Sequence, residues 1–343
     1  MVWRLLLFIP IIAGSYLLVA KQGFTYVYPW ANFDGIHYLS IAQRGYVSQA
    51  AFFPLYPLLI RILGGHFWAG LLIVSVSFLL ALIVFYKLIR LDYRDGVAKQ
   101  SILSLLIFPT AFYFASLYSE SLFLLLLLLS FYFARKKMWF YSSFFAFLLA
   151  STRLVGIFIF PALVYEFVVQ EGFRKIRKAY PLLIVPWGLI AYAWFNLKKW
   201  GDALYFIRAH GELANSRSVE SIVLFPQTMF RYLKILFTLP TSQYEWWIAL
   251  LELAMFLLVS LLLYFAWKKK VRLSYLIFSF LAFLLPVSSG TFTGLPRYVI
   301  VLFPIYIVLA SIKNRSVRRA YMILSSALLF ILLMFFARGY FVA

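Results

Sequence analysis

The sequence predicts an all-α polytopic membrane protein, and three observations carry that prediction. The chain of 343 residues is 65% hydrophobic and 21% aromatic, with a mean hydropathy of +0.92, whereas soluble domains are only about half apolar. Its apolar runs, such as LLIVSVSFLLALIVFY (71–86) and SLFLLLLLLSFYFA (121–134), are long and uncharged; membrane strands would instead alternate in pieces of about ten residues. The runs also extend nearly from end to end. That leaves no room for a separate soluble domain, so residues 1–343 read as one integral-membrane domain.

Taken in order, the runs predict helices near 5–20, 66–86, 97–115, 118–134, 138–150, 153–169, 181–197, 245–267, 273–287, 298–312 and 320–337, about eleven spans. With the N-terminus inside, the inner side collects Arg4, the four basic residues between 87 and 99, Arg135 to Lys137, the four between 174 and 178, the four between 268 and 272, and the four between 313 and 319. That is twenty of the 32 Lys and Arg, in the compact clusters that cytoplasmic loops carry. Reading 138–169 as one helix would put the cluster at 174–178 outside. Two short helices with Ser151 and Arg153 at their outer turn are therefore expected.

The net charge of +21 would suggest nucleic acid in a soluble protein. Here the positive-inside loops and anionic lipid headgroups account for it, and no nucleic-acid partner is expected. The chain has no cysteine, which excludes disulfides, thiolate metal sites and Cys nucleophiles. Leu5 to Ala20 follows Arg4 as a signal peptide would, but no small-x-small site precedes Lys21, so a retained helix is expected.

Two outer segments, about 21–65 and 198–244, are too long for simple turns. In NFDGIHYLSIAQ, Asn32 is placed to cap a short surface helix carrying Asp34, His37, Tyr38 and Ile41 on one face. AFFPLYPLLIRIL has prolines at 54 and 57, which predicts a bent or partly re-entrant chain. WGDALYFIRAHGELANSR mixes rings with charges, as interfacial helices do. Walker A, GxGxxG, HExxH and GxSxG patterns are absent, which removes most familiar soluble chemistries. Nothing resembles a cytoplasmic nucleotide-binding domain.

Only eleven acids are present. Asp92, Asp95, Glu166 and Glu171 fall at cytoplasmic ends among Lys and Arg, where a solvated loop charge is a sufficient reading. Asp34, Glu120, Asp202 and Glu212 fall outside, so an outward polar pocket is the place to look. Asp34 is the best candidate for a reactive carboxylate, because first-turn amides and the helix dipole favour its ionised form by about 0.3–1 kcal/mol; the ordinary alternative is that Asp is simply favoured in a first turn. His37, one turn on, is placed to tune Asp34 or bind substrate. Glu120 opens a helix at the outer face, either offsetting the dipole or facing an interior cavity. Arg153 and Arg297 sit at outer helix ends, where they snorkel or bind a phosphate with the planar guanidinium.

At these residues a resemblance enters. FDGIHYLSIAQRGY followed by AFFPLYPLLIRIL resembles the hallmark of the PIG-V-type mannosyltransferases: an acid-containing first lumenal loop of the form W/F-D-x-x-x-Y/F-x-x-I-A-x-x-G-Y, then F-F-P-L-Y-P. SLYSESLFLLL, STRLVGIFIFPALV, WGDALYFIRAH and LPRYVIVLFPIYIVLA resemble later blocks in the same order, so the likeness runs from about residue 30 to 312 and is nearest to the shorter prokaryotic members. It implies a GT-C glycosyltransferase fold with the active site in the first extracytoplasmic loop, in the plasma membrane of a prokaryote or the ER membrane of a eukaryote. It also implies a polyprenyl-phosphate sugar donor, typically mannose, and a lipid or glycan acceptor, as in GPI-anchor-like biosynthesis. By this resemblance Asp34 corresponds to the catalytic acid. Phe33 departs from the more common Trp.

An inverting transfer needs one base for the acceptor hydroxyl and a cation for the leaving phosphate. Asp34 fits the first role; Arg297, then Arg153, fit the second. Tyr38, Tyr118, Glu120, His37 and His210 are candidates to line the sugar or acceptor site. The resemblance fixes no cofactor, and a divalent ion is compatible with it, since some GT-C enzymes use one and others do not. The competing reading is a lipid or solute transporter, but transporters show pseudo-symmetric halves with broken midplane helices, and no such pairing is visible. A scaffold would need no charge beside its apolar runs.

Overall fold

A computed structural model of the chain describes residues 2–21, 29–213 and 223–342. The parts of the two long outer loops at 22–28 and 214–222, with Glu220, lie outside the described residues. The structure is helical throughout, with one isolated bridge between Val223 and Ser289 among the described residues. The first helices are α1 (Val2–Leu6), α2 (Phe8–Leu17), α3 (Asp34–Arg44), α4 (Leu55–Ile62), α5 (Phe67–Ile89) and α6 (Asp95–Leu106). Next come α7 (Glu120–Arg135), α8 (Trp139–Ala150), α9 (Ile159–Glu171), α10 (Trp187–Trp200), α11 (Tyr205–Leu213) and α12 (Phe225–Thr238). The chain ends in α13 (Tyr244–Lys268), α14 (Leu273–Val287), α15 (Leu295–Tyr298), α16 (Pro304–Ala310) and α17 (Arg315–Ala337).

Every expected span has a helical counterpart, but the spans are unequal. Among the described residues five helical stretches are long and apolar enough to cross a membrane: 67–89, 154–171, 173–200, 244–268 and 315–337. They mark an integral membrane protein. The remaining expected spans are shorter or interrupted, and the cause can be read locally. Pro10 cannot donate to the carbonyl four residues back and its ring crowds that turn, so the expected 5–20 helix breaks at Leu7 into α1 and α2. At 16 residues, α7 is about 24 Å long at 1.5 Å per residue. The span expected at 298–312 is divided between α15, a 3₁₀ turn at Val299–Val301 and α16.

The segment with Pro54 and Pro57 forms the short helix α4, with Pro54 at the N-cap and Pro57 in the first turn, where the amide hydrogens have no helical partner to lose. Both long loops carry short helices, α3 and α4 in the first and α11 and α12 in the second.

The two ends of α7 fix two polar clusters in the apolar body. At its C-terminal end Arg135 donates to both oxygens of Asp92, at 2.5 and 2.7 Å, and to the Tyr275 hydroxyl at 3.0 Å. Beside it Glu166, 1% exposed, takes Arg272 through Nε at 2.8 Å and Nη2 at 2.6 Å and the Ser274 hydroxyl at 2.7 Å. Glu166 is therefore not the solvated loop charge expected of it. It ties α9 to α14, and a buried carboxylate is tolerated there because its charge and lone pairs are met. The basic residues 135–137 and 268–270 lie at this end, and the N-terminal residue of α7, Glu120, lies at the other.

Glycine sets how closely α8 and its neighbours approach. A Cβ on Gly156 would lie 2.4 Å from the Leu149 carbonyl oxygen, and one on Gly188 2.5 Å from that of Phe147. Both atoms are backbone and cannot swing aside. The turn at 151–153, which presents Arg153, is held between these contacts. Gly156→Ala should lower stability by about 1–3 kcal/mol through overpacking, read as a lower midpoint of thermal unfolding in detergent; an unchanged midpoint would show that the turn can relax.

Candidate functional site

The site begins with a residue of strained backbone. Phe33 has φ +57° and ψ −117°, a region that a side chain with a Cβ occupies at a cost of about 1–3 kcal/mol. Its surroundings hold it there. The ring packs against Phe336 and Phe341, with centroids 5.8 and 5.5 Å away. The Asn32 amide donates to the Phe336 carbonyl at 2.9 Å, and the Asn32 carbonyl accepts the Tyr118 hydroxyl at 2.7 Å. Asn32 thus does not cap the helix as its position suggested: its side chain is spent on α17, Phe33 occupies the cap, and Asp34 is the first residue of α3.

One turn along α3, Tyr38 shares a hydrogen bond of 3.0 Å with Ser119. Ser119 immediately precedes Glu120, the first residue of α7, so this bond docks the Asp34 helix onto the end of α7. Arg153 stands at the entry to the 3₁₀ turn Leu154–Phe158. Arg297 belongs to the four-residue α15, whose Pro296 carbonyl accepts the Thr110 hydroxyl at 2.6 Å.

Four charges from four separate stretches then meet in one chain. Arg297 Nη1 lies 2.6 Å from Asp34 Oδ2, and its Nε lies 3.4 Å from Glu120 Oε1. The same Glu120 oxygen takes Arg153 Nη1 at 2.6 Å. Tyr298 underlies both cations, with its ring centroid 5.1 Å from each guanidinium carbon; Tyr118 lies 5.3 Å and Tyr113 5.8 Å from that of Arg297. Exposure is graded along the chain. The side chains of Glu120, Arg297 and Arg153 are 2, 10 and 13% exposed, against 28% for Asp34. Asp34 is the more exposed of the two carboxylates.

The electrostatics keep that carboxylate ionised. Burial alone would raise its pKa, but the charge and hydrogen bond of Arg297, followed by the charges of His37 and Arg153, outweigh it and hold the group below the usual range. The other oxygen of Glu120, Oε2, is buried and has no hydrogen-bond partner among the described residues. An acceptor left in that state is costly unless something donates to it.

The sequence candidates divide as follows. Asp34, Glu120, Arg153 and Arg297 come together directly, and Tyr38 and Tyr118 support them. His37 stacks on Phe52 with centroids 5.1 Å apart and is close enough for its charge to act on Asp34. His210 stands half-buried on α11, a helix anchored by Phe206 against Tyr192 and Phe53. Sequence reading missed Tyr298, Tyr113 and Ser119. The available signal for Tyr298 was its place next to Arg297. As to a divalent ion, no three His, Asp or Glu side chains converge among the described residues, and Asp34 and Glu120 each already face a guanidinium; the described side chains do not form a metal cage.

An apolar groove of about 550 Å³ opens between α1, α2 and α5, lined by Phe8, Pro29, Trp30, Phe67, Trp68 and Leu72 with Arg4 and Ser75. Its Trp30 lies four residues before Asp34, and the Trp30 carbonyl accepts the Leu117 amide at 2.8 Å, so the groove runs beside the strand of chain that leads into the site. Arg4, expected in a cytoplasmic loop, enters this groove and donates to Ser75 and, at 2.9 Å, to the Ala115 carbonyl.

No family model matches the chain, and no curated protein does. Among solved structures the fold is similar to that of ArnT from Cupriavidus metallidurans bound to undecaprenyl phosphate, with a TM-score of 0.53 at 13% identity over 98% of this chain and 70% of that one. The chain therefore shares the all-helical membrane fold of that protein.

Proposed function

We propose that the protein is an inverting glycosyltransferase that moves a mannosyl or related hexosyl residue from a polyprenyl-phosphate donor to a lipid-linked or glycan acceptor on the extracytoplasmic side. The observation that carries this reading is the half-open Asp34 carboxylate, ionised and held by Arg297 at 2.6 Å at the edge of a buried chain of charges. The undecaprenyl phosphate of the ArnT structure supports a lipid-phosphate donor, and the five-block likeness to PIG-V-type enzymes supports mannose.

In this reading Asp34 accepts the proton of the acceptor hydroxyl as its oxygen attacks the anomeric carbon. The bond from that carbon to the phosphate oxygen breaks on the opposite face, and its electron pair leaves with the phosphate. No general acid is needed for such a leaving group. Arg297 supplies the positive charge that the departing phosphate requires, with Tyr298 holding the guanidinium plane. The Arg297 guanidinium sits 2.6 Å from Asp34, so the donor phosphodiester competes with Asp34 for that charge and, in binding it, frees the base. The groove beside Trp30 receives the first isoprene units. The placement of the site on the extracytoplasmic side rests on the basic clusters at the opposite end of α7.

The test is a donor screen. Purified protein in liposomes, given polyprenyl-phosphate hexoses with membrane lipid extract as acceptor, should yield a glycosylated lipid by mass spectrometry, with mannose preferred. Turnover of nucleotide-sugars instead, or uptake of polyprenyl phosphate without any transfer, would overturn the reading; the second outcome would favour a transporter.

A further inference from the structure

A second buried carboxylate, Glu252, lies on the third turn of α13 and is 3% exposed. The mechanism above does not use it. Its Oε2 accepts the Tyr232 hydroxyl of α12 at 2.5 Å, and its Oε1 accepts the Gly294 amide at 3.3 Å. The same Tyr232 oxygen accepts the Phe292 amide at 2.9 Å and meets Thr291 Oγ1 at 3.1 Å. Arg231, the preceding residue of α12, donates to the Gly290 carbonyl at 3.1 Å. Three of the five residues from 290 to 294 are thus hydrogen-bonded through their backbone to this group, and a fourth through its side chain.

What these bonds hold is the lead into Arg297. Gly294 caps α15 with φ +79°, a conformation that leaves glycine as the unstrained choice, and Arg297 follows three residues later. A helix of four residues has too few internal bonds to fix its own orientation. Its direction is set from outside, by Thr110 on the Pro296 carbonyl and by Glu252 on the Gly294 amide. A carboxylate sunk in an apolar helix is costly, and its placement under this loop gives it a use.

Resting on the glycosyltransferase reading, we infer that Glu252 and Tyr232 are positioning residues that aim Arg297 at the donor phosphate and couple the α12 segment of the second outer loop to the site. Their effect passes through the backbone of 290–294.

Tyr232→Phe removes one hydroxyl, and Glu252→Gln keeps an acceptor while changing the charge. Each should raise the donor KM, lowering kcat/KM about tenfold, the scale of one lost buried hydrogen bond, with the acceptor KM unchanged. In an Arg297→Lys background Tyr232→Phe should cost no more than about a further twofold, since both variants act on the same contact. Independently of activity, amide hydrogen exchange at 290–294 should be faster in Tyr232→Phe, with α5 and α7 unaltered. Unchanged exchange overturns the inference whether or not the protein transfers sugar. Active protein with losses that multiply fully in the double variant overturns it and leaves the glycosyltransferase reading standing. Should Glu252→Gln fail to fold, Tyr232→Phe alone decides.

Discussion

Asp34→Asn should lower glycosyl transfer by about 10²–10⁴-fold, the contribution of a positioned general base, while donor binding and fold persist. The argument rests on what the substitution leaves intact. Asparagine keeps the size of the side chain and an oxygen able to accept the 2.6 Å bond from Arg297, so the turn at Phe33 and the docking of α3 through Tyr38 and Ser119 have no reason to change. It removes the basic oxygen. Turnover would be followed by mass spectrometry of product in liposomes, and donor retention by photolabelling with a diazirine-tailed polyprenyl phosphate. Loss of turnover with labelling retained is the expected pair of results. Transfer within a few fold of the parent protein would remove Asp34 from the base role, and loss of both would mean that Asp34 holds the donor rather than the proton.

The individual charges of this site were legible in the sequence, but their connection was not. Asp34 and Arg297 announced themselves because a carboxylate and a guanidinium at the ends of apolar runs are expensive enough to need a reason. Glu120 and Arg153 were visible for the same reason, yet their pairing at 2.6 Å depends on how α7 and the turn after α8 converge, which glycines at 156 and 188 permit and no local pattern reveals. Asn32 was misread because capping preference is local, whereas its amide is claimed by the Phe336 carbonyl some three hundred residues away. The positive φ of Phe33 carried no sequence signal, since the usual marker, glycine, is absent. Glu166 illustrates the opposite error: an acid beside basic residues read as a solvated charge, when Arg272 and Ser274 enclose it. The helical class was plain from the apolar runs. The inequality of the spans was not, because the breaks at Leu7 and around Val299–Val301 come from one proline and from packing, against runs whose hydropathy continues unbroken.

The second large effect concerns Arg297 and joins binding to proton transfer. Arg297→Gln should lower kcat/KM for the donor by about 10²–10³-fold, the usual loss for one group aimed at developing negative charge, and should also move the acidic limb of the pH profile upward. The sign follows from the balance at Asp34. Burial is the largest influence and pushes its pKa up; Arg297, by charge and hydrogen bond, leads the groups that hold it below the ordinary carboxylate range. A base works in its deprotonated form, so in the parent protein activity persists to pH below the normal titration of an aspartate. Without Arg297, the groups that oppose burial are led by the weaker charges of His37 and Arg153, the pKa rises, and the rate falls at a higher pH as acid is added. Arg297→Lys separates the two roles: it retains a charge near Asp34 but loses the planar fork, so its donor KM should rise while its acidic limb stays closer to that of the parent protein. Profiles of kcat/KM against pH for the three proteins decide the matter. An acidic limb that does not move in Arg297→Gln would show that the Asp34–Arg297 pair does not set the protonation of the base.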